Sequence, residues 1–514
     1  MKAHVRCLVV LTISLALIGG PGAMNLMAQD SETRQELLDP LRPLEAEIAT
    51  SIDDGFTFAA VGDCIIARPQ SQMLETDPAF AAAMKIIREA DVSIGNLETS
   101  LIDIRRFAGY PEAEDGGCWC LATPQTAQDL KDLGFDMFSR ANNHTLDWGR
   151  AGMRETSGWL DRAGLVHAGS GEHRAEARTP RFLETPKGRV GLVSVASTFA
   201  EFSEAAPPRG AAPGRPGLNV LKTTRHTVVT EPMMRSLVDL RHAANEQRRL
   251  NDVDTARADE SSDSDSYETS AGTQPGASAP RVPEQLRLFN TSFRLGEAPG
   301  FNYEMDEVDL RENLHYVREG KQLSDFLVVS IHVHETGLGH DELADFLPTF
   351  ARATIDAGAD VFVGTGTHRL RPIEIYKGRP IFYGLGDFFW SDIQGPFGND
   401  YYERYADDID KTFGEGYDVT EAEMFLMLAG PQSGFNDEFV YQTVVPVSRY
   451  EGGQLAELRL YPVDLGHGRR LTESGVPRLA EPAVAQVILQ RLAKMSAPFG
   501  TMIAIEGNVG VVRP

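Results

Sequence analysis

Five apolar runs of strand length in this chain each stop at residues that can hold a cation or move a proton. "FTFAAVGD" (56–63) ends on Asp63, and "DVSIGNLE" (91–98) on Asn96 and Glu98. "FDMFSRANNH" (135–144) ends on Asn142, Asn143 and His144, "FLVVSIHVHE" (326–335) on His332, His334 and Glu335, and "DVFVGTGTH" (360–368) on His368. Segments with helical spacing and helix-boundary residues lie between them, such as "PAFAAAMKIIREA", "TPQTAQDLKDLG" and "GRAGMRETSGWLDRAG". Strands alternating with helices predict an α/β architecture with much parallel pairing. In open α/β sheets ligands bind beyond the carboxyl ends of the strands, so these polar residues converge on one edge.

A lone histidine at a strand end is more often a hydrogen-bonded structural residue than a ligand. Five such strand ends in one chain favour a site. Carboxylate and carboxamide oxygens mixed with imidazole nitrogens suit Mn, Fe, Zn or Mg rather than a soft copper site. A divalent ion so held polarises a phosphoryl or carbonyl oxygen and activates water. The cluster "NNHTLD" (142–147) also has a plainer use, because Asn and Asp cap helices and tolerate turns. Asp147 either orients His144 or caps the helix that follows, and capping is the expectation.

Composition narrows the partners. The 514 residues carry 74 acidic against 49 basic side chains, a formal charge of −25. Nucleic acid and anionic membrane surfaces are therefore not expected partners, since phosphate contacts need clustered Lys and Arg. Residues 1–28 combine Lys2 and Arg6, the apolar run "CLVVLTISLALIGG" and small residues ending at Ala28. That is the pattern of a secretory signal, and the run is short for a membrane span. It predicts a secreted, periplasmic or cell-envelope protein, the alternative being an uncleaved N-terminal membrane anchor. Beyond the signal, Cys64, Cys118 and Cys120 form an odd set in which a Cys118–Cys120 bridge is open to an oxidising compartment.

Residues 29–53 read as a polar leader. The α/β pattern runs over 54–200 and again over 301–470, and 471–514 supplies a helix and a short strand. Between the two halves, 201–300 reads as an insertion. Its segment 251–285, with "NDVDTARADESSDSDSYETSAGTQPGASAP", is acidic, then Gly/Pro/Ser-rich, and is predicted to be disordered. The stretch 391–440 reads as loop-rich, and "FVYQTVVPVSRYEGGQLAELRLYPVDL" as two antiparallel strands.

In order, "VGDCIIAR", "ADVSIGNLETSL", "GFDMFSRANNHTLDWGRAGMRETSGWLDRAGL", "DFLVVSIHVHETG" and "ADVFVGTGTHRLRPIEIYKGRPIFYGLGDFFW" resemble the blocks of the capsule-synthesis protein CapA family. That family is associated with poly-γ-glutamate synthesis and is similar to the calcineurin-like metallophosphoesterases. The resemblance covers residues 55–200 and 320–392. It implies a four-layer αββα sandwich around one or two divalent ions. It also implies Asp63, Glu98, Asn143, His332 and His368 as metal ligands and His144 as the acid that protonates a leaving oxygen. Asn96, Asn142, Glu335, Arg369 and Arg371 are expected on the substrate side, the arginines holding anionic oxygens. The chain departs from the superfamily pattern in three places. Cys64 and Ile65 follow Asp63 where an Asp-x-His opening is usual, and Thr365 and Gly366 stand where imidazole ligands are usual. His334 either stands in for one of these or faces away.

The resemblance implies a metal-dependent hydrolase of phosphoester type acting on a small molecule or an anionic polymer, with membrane partners of capsule synthesis. Two alternatives follow from the same residues: a non-catalytic capsule-assembly or polymer-handling component, and a metal-dependent amide hydrolase of γ-glutamyl or cell-wall peptides.

Overall fold

The computed structural model describes residues 50–112, 120–252, 282–339, 341–391, 399–429, 437–470 and 472–514. Along the first half run β1 (Phe56–Ile66), α1 (Pro78–Glu89), β2 (Val92–Leu97), α2 (Gln125–Asp132), β3 (Met137–Ser139), α3 (Gly149–Ala163), β4 (Val166–Ala168), β5 (Arg181–Thr185) and β6 (Gly188–Ala196). A middle section holds β7 (Thr223–Val229), α4 (Glu231–Asp252), β8 (Gln285–Leu288), β9 (Thr291–Leu295) and β10 (Gly300–Met305). The second half adds α5 (Glu307–Gln322), β11 (Phe326–His332), α6 (Phe346–Asp356), β12 (Val361–Thr365), β13 (Ile373–Tyr376), β14 (Arg379–Phe382) and β15 (Asp387–Ser391). It closes with β16 (Gln442–Glu451), β17 (Gln454–Asp464), α7 (Pro482–Ser496), β18 (Ala504–Glu506) and β19 (Val509–Val512).

Two mixed sheets face each other. One has the order β18-β19-β17-β16-β1-β2-β3-β4, with β15 running parallel beside β1. The other has the order β13-β14-β12-β11-β6-β5, parallel across its four inner strands. Their inner faces share one core, in which Phe58, Ile94 and Met137 of the first sheet pack with Leu192, Val328 and Val363 of the second. Phe326 lies 5.5 Å from Phe58 between ring centroids and locks the two sheets. On the outer face of the first sheet, Phe80, Met84 and Ile87 of α1 and Leu160 of α3 cover Val61 and Leu97. On the outer face of the second, Leu314, Val317, Phe350 and Ile355 of α5 and α6 cover Val193, Val329 and Phe362. The layers are thus helix, sheet, sheet, helix, as expected for an αββα sandwich. Each fully buried Leu, Ile or Phe contributes ~1.5–3 kcal/mol of transfer free energy, which explains why four continuous apolar faces stack this way.

Two regions differ from the sequence reading. Residues 201–300 were expected to lack the α/β pattern, yet β7–β10 form a small four-stranded sheet in the order β8-β9-β7-β10. Its strands, such as "TTRHTVV" and "TSFRL", are half polar and only half buried, so they carry little hydrophobic signal. The acidic segment predicted to be disordered, 251–285, falls mostly outside the described residues, as do the leader and signal calls on 1–49. Loop-rich 391–440 contains short helices at Asn399–Arg404, Ala406–Phe413 and Glu421–Ala429. Helices this short are marginal alone and gain stability from packing. Ile409 and Met424 bury themselves with Ile102 and Trp148, over the loop that follows β3. Among the described residues no helix is long and apolar enough to cross a membrane.

Candidate metal centre

The site starts from a backbone contact. A Cβ at Gly62 would overlap the carbonyl oxygen of Gly386, so only glycine lets β1 approach the chain leading into β15. The same contact carries a hydrogen bond from Asp63 N to Gly386 O at 2.9 Å. The ladder shifts register at this point, and it sets Asp63 level with Asp387 on one side and with Asn96 on the other. Asp63 and Asn96 therefore lie inside their strands rather than beyond them, at a β-bulge, a device often found beside sites. On the facing sheet His332 is the last residue of β11, opposite Thr365. Asp63, Asn96, Glu98, Asn142, Asn143, Asp147, His332 and Asp387 are all completely buried.

Two ligand groups result. In the first, one donor atom each from Asp63, His368 and Asp387 lies within 4.8 Å of the others, and His368 Nδ1 is 2.8 Å from Asp387 Oδ1. In the second, Glu98, His332 and His334 meet the same limit. Here Glu98 Oε1 is 3.4 Å from His332 Nε2, and the two Nε2 atoms of His332 and His334 are 3.0 Å apart. His334 thus faces inward, resolving the alternative left open by the sequence. Asn96 ties the groups together, its Nδ2 lying 2.8 Å from Asp63 Oδ1 and 3.4 Å from Glu98 Oε2. The same Nδ2 lies 3.1 Å from His332 Nδ1, which is also 3.2 Å from Thr365 Oγ1. His332 Nε2 points at Glu98 and His334.

The residues where imidazoles were expected have their own reasons. Gly366 adopts φ +86°, and its N–H donates to Asp63 Oδ2 at 2.7 Å. A Cβ there would come within 3.0 Å of both His332 and His334. His368 itself sits at φ +51°, a left-handed conformation uncommon for non-glycine residues and typical of strained functional loops.

The electrostatics fit a bound cation. Burial pushes Asp63 up despite the nearby His368. Burial also pushes Glu98 well above the carboxylate range, and the charges of Asp63 and Asp387 add to this. Asp387 is pushed by burial to about 6. His332 and His334 are driven well below the usual imidazole range by burial and by neighbouring imidazoles. Burial opposes charge on His368, but Asp387 and Asp63 outweigh it and hold that imidazole above its ordinary range. Glu98 Oε1 and Asp387 Oδ2 are buried with no hydrogen-bond partner. Buried polar atoms are seldom left so, and two unpartnered carboxylate oxygens, with His332 and His334 favoured in the neutral form beside Glu98, match what a divalent ion requires. The donor set therefore fits such an ion.

His144 stands beside these groups, its Nε2 3.9 Å from Glu98 Oε1. Its Nδ1 is 2.7 Å from Asp147 Oδ2, which also accepts from Cys120 N at 3.2 Å. Asp147 accordingly orients His144, and the capping expectation is corrected: the residue preceding α3 is Trp148, which makes no side-chain cap. Asp147 is turned inward because the loop between β3 and α3 is buried. Cys120 Sγ lies near the same pair but is disulfide-bonded, so it is no thiolate ligand. Cys118 falls outside the described residues.

Four residues expected at the substrate have other partners. Asn142 spends its amide on Asn96 Oδ1 at 3.0 Å and Leu97 O at 2.8 Å, and its Oδ1 accepts from Thr145. Glu335 accepts from the hydroxyls of Ser197 and Thr198, both at 2.8 Å, which ties the end of β11 to the end of β6. Arg369 meets Asp437 at 2.8 Å, and Arg371 meets Asp341 at 3.4 Å. Sequence reasoning missed Asp387. Its one signal was the second Gly-Asp, in "GLGDFFW", which repeats the Gly62–Asp63 pair after an apolar run.

A profile described as "Bacterial capsule synthesis protein PGA_cap" matches residues 57–391, the span from β1 to β15 that contains every ligand named above. An uncharacterized protein of Sinorhizobium fredii is 44% identical over 468 residues, 90% of this chain and 94% of its own length. The PGA biosynthesis protein CapA of Bacillus subtilis is 24% identical over 66% of this chain and 65% of its own. A probable polyglutamine synthesis accessory protein of Mycobacterium tuberculosis is 25% identical over 60% of this chain and 58% of its own. The match covers well over half of the chain, from β1 to β15, and the chain belongs to the bacterial capsule synthesis protein PGA_cap family.

Proposed function

We propose that this protein acts in the cell envelope on the synthesis of a capsule or poly-γ-glutamate polymer, as a divalent-metal-dependent hydrolase of phosphoester type. The observation that carries the reading is the pair of unpartnered buried oxygens, Glu98 Oε1 and Asp387 Oδ2, set among Asp63, His332, His334 and His368. Those six residues, with the buried carboxamide of Asn143, would hold one or two ions of Mn, Fe, Zn or Mg. Such ions, when bound, polarise the substrate oxygen and activate water.

The chain's own residues supply the rest. Asn96 fixes Asp63 and Glu98 relative to each other through its amide protons. Asp147 holds the His144 ring through Nδ1 and aims Nε2 past Glu98. In that position His144 can deliver a proton to a departing oxygen. Complete burial of Asp63, Asn96, Glu98, His332 and Asp387 keeps bulk water from these groups, which strengthens each of these interactions. The signal-like pattern of residues 1–28 supports placement outside the cytoplasm.

Purified protein should be stripped, reloaded separately with Mn, Zn and Mg, assayed for bound metal, and tested on a panel of phosphomonoesters and diesters. Metal uptake with turnover that His144→Ala abolishes supports the reading; full metal loading with no turnover on any ester removes it. A second reading, hydrolysis of a γ-glutamyl amide at the same centre, draws on the names of the relatives, and γ-linked glutamate peptides on the same panel separate the two.

A further inference from the structure

Three ring contacts lead outward from the buried metal centre. His332 lies 4.9 Å from His334 between ring centroids, His334 lies 5.3 Å from His368, and His368 lies 5.2 Å from Trp390. The last two contacts are close to edge-on, at 69° and 77°. His332 is completely buried, the His368 side chain is 15% exposed, and His334 and Trp390 are partly exposed. The cluster thus meets solvent along His334, His368 and Trp390, and Trp390 ends the series.

Trp390 reaches His368 through an irregularity of its strand. In a regular strand side chains alternate, so residues three apart, such as Asp387 and Trp390, point to opposite faces. Here the ladder between β1 and β15 skips a residue. Asp63 pairs with Asp387, but Cys64 pairs with Phe389 and Ile65 with Trp390, which leaves Phe388 extra. Phe388 and Phe389 consequently both enter the apolar layer under α1. Asp387 and Trp390, on either side of them, both meet His368, one through Oδ1 at 2.8 Å and the other through its ring. Trp390 also borders that apolar layer, and its backbone N–H donates to Gly475 O at 2.9 Å, which fixes its base.

His368 needs such holding. Its φ of +51° is unfavourable for a residue with a Cβ, and conformations of that kind persist where the surroundings over-determine them. Gly386, itself at φ +65°, packs on the same turn, since a Cβ there would come within 3.2–3.3 Å of Arg369 backbone atoms. The chain entering β15 therefore lies against the turn that carries His368 and delivers Asp387 and Trp390 to it together. A hydrogen bond to one ring nitrogen leaves an imidazole free to pivot about that atom. An edge-on aromatic contact opposes the pivot.

We propose that Trp390 is a positioning residue of the metal centre, whose indole packs edge-on against His368 and, jointly with Asp387, sets that imidazole for the ion. This rests on the reading of Asp63, His368 and Asp387 as an ion site, and it adds a residue that acts on the ion only through His368.

Cobalt(II) titration of the chelator-stripped full chain, followed by tryptophan emission, tests it without any turnover. An ion held by His368 quenches an indole packed on that ring, and subtracting the Trp390→Phe spectrum removes the emission of Trp119, Trp148 and Trp159. The difference signal should fall as cobalt saturates the site. Trp390→Leu, which keeps apolar bulk beside Phe388 and Phe389, should bind cobalt about three- to tenfold more weakly, the worth of one edge-to-face pair. Trp390→Phe retains a ring and should bind within about twofold of wild type. Adding His368→Ala to either variant should cancel the difference between them, because Trp390 acts through that ring. If Trp390→Leu does not fold, the quenching signal and the Trp390→Phe affinity still decide. Wild-type affinity in Trp390→Leu, equal weakening in the Leu and Phe variants, or Trp390 emission that saturating cobalt leaves unquenched each overturns the proposal. A wild-type chain that takes up no cobalt removes the ion-site reading and this proposal with it, whereas uptake indifferent to position 390 removes this proposal alone.

Discussion

Asp387 lies level with Asp63 across two parallel strands, and its Oδ1 sits 2.8 Å from His368 Nδ1 while its Oδ2 has no hydrogen-bond partner. One carboxylate thus orients an imidazole with one oxygen and offers the other to the cluster. Groups that orient a metal-binding histidine typically carry a 10- to 100-fold effect on metal affinity. Asp387→Asn should keep the fold and lower metal affinity by about that factor, read by metal content after dialysis against graded chelator. Retention equal to wild type would show that Asp387 is a structural acid only.

His144 is positioned by Asp147 at 2.7 Å and approaches the ligand cluster at Glu98, 3.9 Å from its Nε2. On the proposed reading, His144→Ala should retain metal and lose about 10²- to 10⁴-fold in kcat, as expected for a missing general acid. Parallel assays of metal content and turnover separate this from loss of the centre. Loss of metal together with turnover would reassign His144 as a ligand.

Gly62 is the point where β1 meets the chain leading into β15, and a side chain there would collide with backbone rather than with a flexible neighbour. Gly62→Ala should cost about 2–3 kcal/mol through backbone displacement. It should also reduce metal uptake, because the hydrogen bond from Asp63 N to Gly386 O sets the spacing of both aspartates. Urea melts and metal titration of the same preparation check the two effects; a variant with unaltered stability would refute the close-approach argument.

Asp77 caps α1 by accepting from Ala79 and Phe80 N–H, each at 3.1 Å, and it pairs with Arg478 Nε at 2.6 Å. Partial burial opposes ionisation, but the Phe80 N–H, Arg478 and the Ala79 N–H outweigh it and hold the carboxyl below its ordinary value. A depressed folded-state pKa means stability that is present above the unfolded value of about 3.9 and lost as pH falls through the folded one. Asp77→Ala should therefore cost about 1–2 kcal/mol at pH 7, and the gap to wild type should close below about pH 4. Denaturation midpoints at pH 7 and pH 3 decide it, and a gap independent of pH would mean the cap's charge does not matter.

Much of the frame was legible in the sequence because burial writes itself into apolar periodicity. Runs such as "FLVVSIHVHE" are buried on both faces, so they stand out, and the residues at which they stop marked Asp63, Glu98, His332 and His368 in advance. The small sheet β7–β10 and the helices at 399–429 escaped notice. Their strands are half exposed and their helices short, and packing rather than local propensity stabilises them.

The sequence by itself determined the alternation of strands and helices, the α/β class that follows from it, and the residue types at five strand ends, since these follow from local hydrophobic pattern; the αββα layering was implied by the family resemblance. Only the tertiary structure decided which of those groups meet. It brought Asp387 level with Asp63, turned His334 inward and set Asp147 on His144 instead of on a helix end. It also seated Arg371 against Asp341. Such pairings depend on register across strands hundreds of residues apart and on a glycine contact at Gly62, and a shift of one residue would turn each side chain to the opposite face.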